Sequence, residues 1–154
     1  MKPSSFIWAI GPVVSFPSTS DPTLGTGKFS AGPTAVVLKQ TGPWTVGVLW
    51  NEIWSVGGDK DRQDVSQMFV QPFAAYTTKS LWTFTLQSET TANWEATGNN
   101  RWTVPVNLLF SKLSSFGPFP ASYSYGFGVF AASPQGGATW KMRGAITLLL
   151  PRRK

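Results

Sequence analysis

The sequence predicts an all-β chain, an antiparallel up-and-down transmembrane β-barrel with about eight strands in these residues, closed alone or as part of a larger barrel. Three observations predict it. Segments of strand-like alternation are joined by connectors that run long, short, long, short. The apolar faces of those segments end in aromatic residues at both ends. Charged side chains make up only 13% of the 154 residues, about half the ~25% of a typical soluble domain.

In chain order, the segments are Phe6–Phe16, Lys28–Lys39, Pro43–Ser55, Val65–Thr78, Leu81–Thr90, Arg101–Lys112, Phe119–Ala131 and Thr139–Leu150. The first two carry Pro12 and Pro33, which remove ladder donors and predict bulges or an edge position. In the third, Trp44, Val46, Val48 and Trp50 oppose Thr45, Gly47 and Asn51. The fourth sets Met68, Val70, Ala74 and Tyr76 against a mixed face of Gln67, Gln71, Phe69 and Phe73. The fifth alternates most cleanly, with Trp82, Phe84 and Leu86 opposite Thr83, Thr85, Gln87 and Glu89. In the sixth, Trp102, Val104, Val106, Leu108 and Phe110 oppose Arg101, Thr103, Asn107 and Ser111. The last sets Trp140, Met142, Ile146, Leu148 and Leu150 against Lys141, Arg143, Ala145 and Thr147.

Short connectors are expected at Thr41-Gly42, Lys79-Ser80 and Ser114–Pro118, and long ones near Pro17–Gly27, Val56–Asp64, Thr91–Asn100 and Ala132–Ala138. Aromatics mark both ends. Phe6, Trp44, Tyr76, Trp82, Phe110 and Phe119 lie toward the short turns; Phe16, Phe29, Trp50, Trp54, Trp94, Trp102 and Trp140 lie toward the long loops. Two such belts around aliphatic middles match the two interfaces of a bilayer. An apolar face opposite a polar one also fits a soluble barrel with the apolar face inward. The belts and the scarcity of charge on the polar faces favour lipid.

The net charge is +6, but it is polarised. Lys2, Lys39, Lys79, Lys112, Arg152, Arg153 and Lys154 gather at the short-turn rim. Asp21, Glu52, Asp59, Asp61, Asp64, Glu89 and Glu95 all fall in the other half. A basic rim suits anionic headgroups of membrane lipid, whereas a nucleic-acid face interleaves cations with exposed aromatics, so no nucleic-acid partner is expected. Cysteine and histidine are absent, which removes thiolate chemistry, the commonest metal ligand and the usual general base. No enzyme activity, catalytic residue, metal or cofactor is expected. The acidic stretch Gly57–Asp64 lacks the calcium-loop spacing and reads as an external loop. No run is long and apolar enough for a membrane helix. The chain reads as one domain over residues 1–154. No leader precedes Met1-Lys2-Pro3, so the natural product is expected to extend further at its N-terminus.

The runs FSAGPTAVVLKQ (29–40), GPWTVGVLWNEIWSVGG (42–58), DVSQMFVQPFAAYTTK (64–79), NWEA (93–96), RWTVPVN (101–107) and GAITLLLP (144–151) carry a resemblance. Together they resemble a family of Gram-negative outer-membrane barrels named for transport in the meta-pathway of phenol degradation. The likeness runs from about Ile7 onward and is to the family's C-terminal portion. It implies a porin-like barrel in the bacterial outer membrane and carries no catalytic motif. Outer-membrane strands commonly end in an aromatic residue that the assembly machinery, an expected partner, reads. This chain departs there, with Leu150 before Pro151.

The inward polar residues are the candidate lumen lining: Gln67, Gln71, Gln87, Glu89, Arg101, Asn107, Lys141 and Arg143. In a narrow barrel their charges must pair to offset desolvation; in a wider one they line a path for a small, hydrophobic or aromatic solute. Three functions follow as expectations. The first is a transporter or channel, the second a structural or adhesive barrel acting through its long loops, and the third a soluble barrel holding an apolar ligand.

Overall fold

The structure is a computed structural model and describes residues 5–18, 25–116 and 119–149. It is all-β. The strands are β1 (Ser5–Ser15), β2 (Lys28–Thr41), β3 (Trp44–Gly58), β4 (Ser66–Thr77), β5 (Trp82–Ser88), β6 (Thr90–Asn93), β7 (Trp102–Phe116), β8 (Phe119–Ala132) and β9 (Trp140–Leu148). They form one antiparallel sheet in sequence order, with β5 and β6 together filling the place between β4 and β7. The up-and-down, all-antiparallel expectation therefore holds, strand for strand. Among the described residues the ladder does not pair β1 with β9, so it has two edges.

The break between β5 and β6 has a local cause. Ser88 faces Val106 and Thr91 faces Thr103, so the register continues through Glu89 and sets it opposite Pro105. Proline has no N–H to give the ladder, and the β7–β8 register shifts beside it, between Val104 and Pro105. Physically this is one strand from Trp82 to Asn93, longer than the alternation in sequence indicated. Of the two N-terminal prolines, Pro12 takes the expected edge position, whereas Pro33 lies on the inner strand β2 with the same register on either side of it. Pro12 lies on the edge strand β1, facing Pro33, and β2 slips register against β3 between Phe29 and Ser30.

Turn chemistry explains the short ends. Gly42, at φ 58, precedes Pro43 between paired Thr41 and Trp44, the glycine-first pattern of a two-residue hairpin. The β4–β5 turn is a three-residue loop in which the Leu81 N–H donates to Thr78 O and the Thr78 N–H to Trp82 O. Its last residue must be left-handed, and Leu81 takes that role at φ 65. The expected Ser114–Pro118 connector is shorter than its residues suggest: Ser114, Ser115 and Phe116 belong to β7 and pair with Ala121, Pro120 and Phe119. Residues 117–118 lie outside the described set, as do Lys2, Asp21, Leu150, Pro151, Arg152, Arg153 and Lys154. The long connectors span 59–65, 94–101 and 133–139, with β1–β2 joined through 16–27. Short and long ends alternate as the sequence predicts.

Among the described residues no second layer covers the sheet, yet one face is more sheltered than the other. Along β7 and β8, Pro105, Asn107, Gly126 and Gly128 are buried while Trp102, Val106, Leu108, Phe110, Tyr125, Phe127 and Val129 are exposed. With nothing packed on either side, that difference is curvature: the sheet curls toward the polar side. The outer face carries the large apolar side chains, among them Trp8 (66% exposed), Ile10 (73%) and Met142 (68%). Ala92 and Ala121 are the buried apolar residues among those described.

Candidate functional site: the inner face of the sheet

Register assembles the site. One row of inward side chains crosses every strand: Ile7 faces Leu38, Leu38 faces Gly47, and Gly47 faces Phe73. The row continues through Gln87, Asn107, Gly128 and Lys141. Its first half is apolar and its second half polar. Glycine appears where a neighbour is large. A Cβ on Gly47 would meet Leu38, Val37 O and Phe73, one on Gly126 would meet Leu109, and one on Gly128 would run into Asn107 Oδ1. Small and large residues alternate to fit a curved interior.

The polar half is a hydrogen-bonded chain. Gln71 Nε2 donates to Gln87 Oε1 at 3.1 Å, and Gln87 Nε2 donates to Glu89 Oε1 at 3.1 Å. Glu89 also accepts Lys141 Nζ at 2.6 Å and Arg143 Nη1 at 3.1 Å. Lys141 lies 5.8 Å from the Phe130 ring centroid. Gln87, Glu89, Asn107, Leu109, Gly126, Gly128, Lys141 and Arg143 surround a small cleft whose enclosed part, about 10 Å³, is the size needed for one water. Asn107 is 4% exposed, and neither of its side-chain amide atoms has a hydrogen-bond partner.

Of the eight candidates, Gln71, Gln87, Glu89, Lys141 and Arg143 thus form one network, and Asn107 lines the same cleft. Gln67 lies on the same face toward the long loops, facing Ile53 and Asn93. Arg101 stands apart. It precedes β7, donates to Ala96 O at 3.4 Å and covers the Trp94 ring at 5.7 Å. The sequence reading missed the apolar inward residues Leu38, Leu49 and Leu109. Gly47 opposite Leu38 and Gly126 opposite Leu109 were the signal for two of them; Leu49, opposite Val36 and Gln71, had none.

The two rims differ in chemistry. Near the short turns Trp44 packs on Tyr76 (ring centroids 5.0 Å apart) and Phe84 on Phe110 (5.7 Å). There Lys112 donates to Ser80 O at 2.7 Å and sits 5.1 Å from the Trp82 ring. Near the long loops Phe16 packs on Phe29 (6.1 Å) and Trp94 on Trp102 (5.8 Å), while Trp94 Nε1 donates to Glu52 at 2.7 Å. Trp50 departs from its expected place. It faces Ala35 and Val70 near mid-strand, and Trp54 holds the rim.

The long loops are clasped rather than free. Lys28 is 7% exposed, and its Nζ reaches Asp64 at 2.9 Å, while Ser55 Oγ donates to Asp64 at 3.1 Å. Hydrogen bonds from Lys28 and Ser55, with the lysine charge behind them, hold the Asp64 carboxyl below the usual carboxylate range. Arg62 donates to Gly25 O and Thr26 O across the two loops. Among the described residues no group of acidic side chains is arranged to hold a metal.

The chain matches no family model, no curated protein and no solved structure.

Proposed function

We propose that this chain is an outer-membrane β-sheet of the barrel type whose inner face passes a small solute. The continuous band of exposed apolar side chains on the outer face carries this reading. In water so large an apolar surface drives association; in lipid it is the required coat. The band has the right height. Trp44 and Trp54 lie ten residues apart on β3, about 33 Å of strand at ~3.3 Å per residue. A barrel tilt of about 40° reduces that to about 25 Å, the height of the apolar band of such barrels. The paired aromatics at each rim sit where interfacial belts sit. The likeness to the phenol meta-pathway outer-membrane family, carried by the runs quoted above, supports the same location.

The open ladder and the polar inner network support solute passage over an inert plug, because the edges leave room for a wider barrel than eight strands enclose. The test is permeability of lipid vesicles carrying the refolded chain, dosed against protein, with boiled and unboiled gel mobility reporting folding. Dose-dependent solute release is expected; folded protein that leaves the vesicles tight refutes transport. A structural or adhesive barrel is the second reading, favoured by the clasped loops around Lys28, Asp64 and Arg62. It predicts tight vesicles and partner binding that is lost when residues 59–65 are trimmed.

A further inference from the structure

We infer that the inner face holds a binding site for an amphipathic carboxylate, an acid group on a short apolar or aromatic body. The inference rests on the transport reading for its use in the cell, but binding itself requires no pore.

The first argument is charge. Lys141 and Arg143 share a single carboxylate, that of Glu89, so the cluster carries one uncompensated positive charge. Facing a lumen walled by lipid and protein, that charge is costly unless an anion joins it. The second is donor capacity. Glu89 takes one N–H from each cation, whereas an ammonium offers three and a guanidinium five. The Arg143 side chain is 60% exposed toward the open face, free to meet a second carboxylate.

The third argument is Asn107. A buried amide without partners is unfavourable, and Asn107 lines the cleft that the two cations border. The enclosed space admits one small atom or a water. A ligand therefore inserts a carboxylate oxygen there, accepting from Asn107 Nδ2, and leaves its body on the open face. Gly126 and Gly128 line this cleft, facing Arg143 and Lys141 across β8–β9, and the space directly over them is held by Leu109 and by Asn107 Oδ1.

The fourth argument is what lies beside the acid subsite. The row from Asn107 runs through Gln87 to Phe73, Gly47 and Leu38. Phe73 is two strands from Asn107, about 10 Å at ~4.8 Å per strand, and nearer across a curved face. An apolar body of a few carbons and a ring spans that gap. Neutral or cationic solutes of the same shape lack the partner for the spare charge.

The test uses the full chain refolded into zwitterionic micelles, with fluorine NMR of 4-(4-fluorophenyl)butyrate and its alcohol, 4-(4-fluorophenyl)butanol, against empty micelles. Saturable broadening of the acid, reversed by unfluorinated 4-phenylbutyrate and absent for the alcohol, is expected. Arg143→Gln weakens the acid about tenfold or more, the scale of one charge-assisted hydrogen bond. Glu89→Gln releases both cations and tightens it, a direction that a purely structural role for Glu89 cannot produce. Equal response of acid and alcohol, no saturable broadening, or an unchanged affinity in Arg143→Gln overturns the site. If Glu89→Gln does not fold, the exposed Arg143→Gln and the acid–alcohol comparison decide alone. Vesicles that leak without acid binding refute this site and leave transport standing; acid binding with tight vesicles does the reverse.

Discussion

Gly47 tests the curvature of the sheet with one methyl group. An alanine Cβ there stands 2.6 Å from Leu38 Cβ, 2.7 Å from Val37 O and 2.9 Å from Phe73 Cζ. Non-bonded carbons rest at about 3.5–4.0 Å, so the overlap is about 1 Å at the Leu38 carbon. Phe73 can turn its ring away. Leu38 Cβ and Val37 O cannot, because both are fixed to the backbone of β2, which is held to β3 on either side of Gly47. Relief requires the strands to part. Overpacking of this kind costs about 1–3 kcal/mol, and replacing glycine returns about 0.5–1 kcal/mol from the unfolded chain. The net expectation is a loss of about 1–2 kcal/mol. Gly144 is the control, lying on the outer face opposite Tyr125 with nothing within 4 Å of its Cβ position. Gly144→Ala should be neutral or slightly stabilising. Urea unfolding of the micelle-bound protein, followed through its 8 tryptophans, reads both variants on one scale. Equal midpoints for Gly47→Ala and Gly144→Ala, with unchanged slopes, would refute the assignment of Gly47 to a crowded inner face.

Three further outcomes follow from the same geometry. Leu108→Arg places a cation on the mid-height outer face; in a bilayer it should cost about 2–4 kcal/mol, against about 0.5 kcal/mol for an ordinary wet surface. Folding titrations in vesicles separate the two. Leu81→Asn should stabilise by about 0.5–1 kcal/mol, since a left-handed leucine carries about 1–2 kcal/mol of strain that asparagine largely escapes, and a higher urea midpoint checks it. The Asp64 clasp should be pH-dependent. Its carboxyl is depressed in the folded protein, so its contribution is present above the ordinary carboxylate range and is lost as pH falls through the lower folded value. Amide protection factors at Asp59 and Val65, whose N–H groups bond Gly27 O and Ser55 Oγ, should therefore fall in strong acid and stay constant from neutral pH down to about 5; a protection factor already falling at pH 6 would contradict the Lys28–Asp64 assignment.

Much of the architecture was legible because it is local. A strand shows itself as a period of two, and a tight turn as residues that tolerate left-handed backbone, so Trp82–Leu86 and Gly42-Pro43 could be placed from neighbours alone. The 82–93 strand reads as ending at Thr90 because the apolar alternation stops there, before Thr91, Ala92 and Asn93; its break at Glu89 comes from Pro105 on another strand. The Lys79-Ser80 turn is legible, but its last residue, Leu81, reads as strand because leucine is no usual left-handed residue.

The candidate site was legible only as a parity. Alternation determined that Gln71, Gln87, Glu89, Asn107, Lys141 and Arg143 share a face, but a period of two says nothing about which strands are neighbours or in what register. Pairing between residues far apart in the chain decided that Glu89 meets Lys141 and Arg143, and that Arg101 leaves the group for Trp94. It also set Asn107 over Gly128 with its amide unsatisfied, and buried Lys28 against Asp64. The chain's own residues determined strands, turns, the apolar outer face and the polar inner face, since each depends on side-chain chemistry within a few positions. Tertiary structure decided the charge balance of the cleft and the open edges of the ladder, because both are sums over partners that only the folded sheet brings within reach.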